Sequence, residues 1–107
     1  MLYKFKSKAA GDLIMTAPVG DRVLKLMGRE PALQGIFEVE AMPALMVALE
    51  AAIVADEALR RAAEQAAADA GERLPPREAV GLRQRAWPLI EMLKRCHGAG
   101  HPIVWGV

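Results

Sequence analysis

The chain has 107 residues and a net charge of +1, enough for one core and a single domain over residues 1–107, and no apolar run reaches the ~18 residues that span a bilayer. Apolar residues make up 53% and aromatics 5%, and twenty residues are alanine, so the composition predicts a core of Leu, Ile, Val, Met and close-packed Ala. The balanced charge argues against nucleic acid as the main partner, and the single cysteine, Cys96, excludes an intramolecular disulfide and points to a reducing cytoplasm.

Leu2 to Lys6 alternates as a strand does, with Tyr3 and Phe5 on one face and Lys4 and Lys6 on the other. It has no continuous apolar stretch of the kind a signal peptide carries. Asp12 to Thr16, set between Gly11 and Pro18, reads as a second strand, and a Ser7–Gly11 loop makes the two a hairpin. Pro18 opens a short helix over about residues 18–27. Its apolar face is Val19, Val23, Leu26 and Met27, Asp21 falls in the first turn, and Gly28 and Pro31 close it. After a loop, Ile36 to Val39 is a brief extended segment.

Pro43 to Ala70 reads as a long alanine-rich helix with Leu45 or Met46, Leu49, Ala52, Ile53, Leu59 and Ala63 facing inward. Asp56 with Arg60, and Glu57 with Arg61, form acid-first pairs four residues apart, each adding roughly 0.3–0.5 kcal/mol. The turn Gly71-Glu72-Arg73-Leu74-Pro75-Pro76 leads to a returning helix over 77–97. Val80, Leu82, Ala86, Leu89, Ile90, Leu93 and Cys96 form its apolar side, and Pro88 predicts a kink or a break into two helices. His101 to Val107 closes as a strand whose nearest candidate partner is the first one.

The charge is unevenly spread. Residues 38–72 hold eight acids against Arg60 and Arg61, a net −6, and residues 73–97 hold six basic side chains against Glu78 and Glu91, a net +4. An antiparallel helix pair lays one block along the other. A helix of 28 residues spans about 42 Å, longer than the ~34 Å diameter of a compact body of this size. Either its Ala62–Ala70 end frays or the helical hairpin projects, and projecting alanine faces invite a second subunit.

Cys96, His97 and His101 are the one cluster of metal-ligand type. Zinc requires three or four such ligands in tetrahedral geometry, so Asp12 or Glu91 would have to complete the set. Read as a nucleophile, Cys96 lies beside His97 on a helix end, where adjacent side chains diverge and the dipole opposes a thiolate. Lys4, Lys6 and Lys8 offer a weakly charged stripe, read more simply as protection of a surface strand. No phosphate-loop or dinucleotide-binding motif occurs. Trp87 and Trp105 read as core or interface anchors.

The opening run from Met1 to Met15 and the closing runs Arg83 to Leu93 and Ile103 to Val107, together with Gln34-Gly35-Ile36 and Met42-Pro43-Ala44, resemble a family of short bacterial proteins of unknown function. The resemblance implies a bacterial, cytosolic, stand-alone domain, and it implies no activity, cofactor or catalytic residue. The expected fold is α+β in the order β-β-α-β-α-α-β. A small, mainly antiparallel sheet including both chain termini packs on a long antiparallel helical hairpin. The expected function is a non-enzymatic module that binds itself, as a homo-oligomer, or another protein. The alternative is a small metal- or ligand-binding protein using Cys96, His97 and His101.

Overall fold

The computed structural model describes residues 2–72 and 81–106. Alternation holds through β1 (Leu2–Ser7), which buries Tyr3 and Phe5 and exposes Leu2 and Lys4. β2 (Ala10–Thr16) pairs antiparallel to it, with Tyr3 opposite Met15 and Phe5 opposite Leu13. The connecting turn is only Lys8-Ala9, tighter than the predicted loop, and the Ala9 N–H donates to Ser7 Oγ at 3.3 Å.

Helix α1 (Ala17–Leu26) follows directly on β2, with Pro18 in its first turn, where the missing N–H costs nothing. The helix starts a residue earlier than predicted, which moves Asp21 out of the first turn. Instead its carboxylate accepts a hydrogen bond from the Tyr3 hydroxyl. At the other end, Gly28 takes φ 80°. The N–H groups of Gly28 and Arg29 then return to the carbonyls of Lys25 and Leu24, at 3.0 and 2.8 Å, and satisfy the last turn.

β3 (Gly35–Phe37) is shorter than the predicted segment, because Val39–Ala41 coils into a single 3-10 turn. Helix α2 runs Met42–Asp69, and α3 runs Leu82–Ala99 without interruption across Pro88. Pro88 therefore does not split α3. The predicted turn beyond Glu72, the start at Arg77 and the apolar position Val80 lie outside the described residues. α3 ends at Gly100, φ 72°, where the His101 N–H reaches the Cys96 carbonyl at 3.0 Å. β4 (Ile103–Trp105) pairs antiparallel with both β1 and β3, giving the sheet order β2-β1-β4-β3.

The core is more aromatic than the composition suggests. Tyr3, Phe5, Phe37 and Trp105 converge on one sheet face, with ring centroids 4.8–5.9 Å apart. The Trp105 indole N–H is satisfied by the Ala32 carbonyl at 3.0 Å. Against this face lie Val23 and Leu24 of α1 and Leu89, Ile90, Leu93 and Cys96 of α3. Among the described residues only Ala67 and Ala86 are buried alanines. Many of the others stand exposed on α2.

α2 packs mainly on α3 and more lightly on α1. Its buried residues, Met42, Leu45, Leu49 and Ile53, recur every three or four positions and form one narrow stripe. Leu59, predicted to face inward, is 70% exposed. The radius of gyration is 15.9 Å and the extents are 52 × 27 × 22 Å, elongated against the ~13 Å of a compact chain of this length. The helix does not fray before Asp69, so it projects. Among the described residues, no helix is long and apolar enough to cross a membrane.

Candidate functional site

The structure places the three predicted ligand residues in three different surroundings. Cys96 is fully buried in the last turn of α3. His97, about 100° further round the helix, is exposed. His101 lies beyond the helix end and lines a shallow hollow of about 340 Å³ with Lys6, Ser7, Lys8, Pro102 and Val104. The two candidate completing ligands, Asp12 and Glu91, do share a groove. It is an open cleft of about 590 Å³ between the β1–β2 hairpin and α3, lined also by Pro88, Met92, Lys94 and Arg95. Its two cations and two carboxylates balance, and Asp12 already pairs with Lys4 at 3.5 Å. Among the described residues, no three His, Cys, Asp or Glu side chains are grouped so as to hold a metal ion.

The lysine stripe is broken as well. The register shifts between Phe5 and Ser7, and Lys8 sits in the turn.

The most distinctive surface lies on the α2–α3 pair. Because α2 is covered along one stripe only, its opposite side stands in water. That side carries Val47, 67% exposed, and Val54, 58% exposed, seven residues and nearly two turns apart. Trp87 of α3, 36% exposed, stands beside Val54. Val54 and Trp87 line one groove of about 220 Å³ with Glu50, Ile53 and Arg83. Single exposed apolar side chains are ordinary. An exposed indole beside an exposed valine is less so, since Trp is among the residue types enriched at interface hot spots.

Charge holds this surface in shape. The Arg83 guanidinium forks onto Glu57, Nη2 to Oε1 at 2.8 Å and Nε to Oε2 at 3.3 Å, and so ties α3 to α2. The hydrogen bond from Arg83 holds the Glu57 carboxyl below its usual range, and the same bond raises Arg83. This replaces the predicted pairing of Glu57 with Arg61. The partner pair, Asp56 with Arg60, is present at 3.4 Å, and Arg22 of α1 reaches the same Asp56 at 3.4 Å. The Arg83 guanidinium also lies 5.6 Å from the Trp87 ring centre, and the Lys94 ammonium lies 5.3 Å from it. Two cations thus hold the indole at the surface.

The sequence reading named Trp87 as an anchor but missed Val47 and Val54. Their spacing of seven was visible, yet the leucines and isoleucine of the same helix outrank valine as inward residues. No curated protein and no solved structure matches the chain. The four strands, the helix pair and the surface it carries all fall within residues 1–105, the span matched by the model of a domain of unknown function, DUF1840, and the chain belongs to that family.

Proposed function

We propose that this protein is a non-enzymatic, cytosolic interaction module that associates with a second copy of itself through the outer face of α2 and α3. The observation that carries the reading is the exposed pair Val54 and Trp87 lining one groove, with Val47 exposed on the same side of α2, away from its buried stripe. Burying such side chains is worth roughly 25 cal/mol per Å² of apolar area. α2 supports the reading in a second way. Its exposed alanines let another helix approach closely, and its length extends the surface beyond the body.

Light scattering across a range of concentrations tests this. The expected result is a mass above the 11.6 kDa of one chain, falling towards that value in Val54→Glu, with unchanged helical circular dichroism. A wild-type protein that stays monomeric throughout overturns the reading. No observation favours the metal-binding alternative, since Cys96 faces the core while His97 faces solvent.

A further inference from the structure

We infer that the second copy docks antiparallel on α2, with Glu50 of each copy against Arg61 of the other. This rests on the self-association reading above and adds the orientation and register of the contact.

The argument starts from the helical wheel. At about 100° per residue, Val47, Ala51, Val54, Ala58 and Ala62 fall within one stripe, and all five are exposed. The stripe lies roughly opposite Leu45, Leu49 and Ile53, so a helix seated on it does not compete with α1 or α3. Glu50 and Arg61 are eleven residues apart, which returns them to within about 20° of each other round the axis and about 16 Å along it. They therefore occupy the same flank of the stripe, the flank that faces Trp87 and Arg83. Both are exposed, and neither makes an ion pair within the described residues.

Symmetry then selects the geometry. A two-fold axis relating antiparallel helices brings identical flanks together. With that axis near residue 56, Val54 meets Ala58 of the other copy, and the Glu50–Arg61 pair forms twice. A parallel arrangement, whose two-fold axis runs along the helices, sets this flank of each copy on opposite sides of the seam, so Glu50 and Arg61 do not meet across it. This register suits Val54, which lies across from the small side chain of Ala58.

Charge exchange tests this with the full chain. Glu50→Arg alone and Arg61→Glu alone each place like charges at both contact points and weaken self-association about tenfold or more. Mixing the two single variants places opposite charges at both points, so the mixture associates where neither does alone. The double variant, Glu50→Arg with Arg61→Glu, regains association. Sedimentation equilibrium reads all four samples, and circular dichroism confirms that each is folded. Single variants that associate like the wild type, or a mixture that stays dissociated, overturn the register while a wild-type dimer still supports the interaction face. A wild type that is monomeric removes both.

Discussion

The Tyr3 hydroxyl donates to the Asp21 carboxylate, and the Tyr3 ring lies so close over Gly20 that a Cβ there would overlap it. One aromatic side chain thus fixes the distance between β1 and α1 by two means, a polar bond at its tip and close packing at its edge. The first strand and the first helix are tied to each other directly, without help from α2 or α3.

The polar half of this arrangement predicts a titration. Burial, with help from the hydrogen bond to Asp21 and its charge, pushes the Tyr3 hydroxyl up to about 12 from an ordinary 10.0. The neutral form is the one the fold favours, so the resulting stability is complete below pH ~10, where the unfolded chain would begin to ionise. It is lost as pH rises through the folded value. Tyr3 is the only tyrosine, so ultraviolet absorbance of tyrosinate reports it without interference. The midpoint is expected near 12 in the wild type. In Asp21→Asn it falls part of the way back, because burial remains. A wild-type midpoint at the ordinary value contradicts the bond.

The packing half predicts opposite signs for two glycine-to-alanine changes within helices. Gly98 of α3 has open space where a Cβ would stand. Gly98→Ala is expected to raise stability by roughly 0.5–1 kcal/mol through helix propensity. Gly20→Ala gains the same propensity but drives a methyl into the Tyr3 ring, and overpacking costs about 1–3 kcal/mol. Net destabilisation is expected. Urea unfolding of the two variants checks this, and equal stabilisation by both would show that the ring does not rest on the helix.

The core predicts a contrast between two large apolar side chains. Phe37 is fully buried against Phe5 and Trp105, so Phe37→Ala is expected to cost about 3–5 kcal/mol. Leu59 stands 70% exposed, and Leu59→Ala should change stability by no more than about 0.5 kcal/mol. Thermal unfolding decides between this and an inward Leu59, which would cost about as much as any core leucine.

Local chemistry was legible without any coordinates. The alternation of Tyr3 and Phe5 with lysines marked β1. Pro18 marked the start of α1 and Gly28 its end, and the apolar spacing from Leu82 to Cys96 marked the buried side of α3. These features depend on residues within a few positions of one another, where backbone sterics and periodicity act directly. Even the partner of β4 could be named, since a terminal apolar strand needs a sheet edge and β1 offered one.

The inward side of α2 was legible only in its first half: Leu45, Leu49 and Ile53 are buried as their spacing predicts, whereas Leu59 is exposed, because the alanine-rich second half has no unique apolar face. Packing buries Met42, Leu45, Leu49 and Ile53 and leaves Val47, Val54 and Leu59 in water. In the same way Glu57 had a local partner available in Arg61 and took the distant Arg83, whose fork offers two hydrogen bonds. Cys96, His97 and His101 stood together in the chain and separated in space, because a helix turns about 100° per residue and then stops at Gly100. Sequence set the elements and their ends; packing between elements decided which side chains were left facing outward, and those are the ones with which the protein can meet a partner.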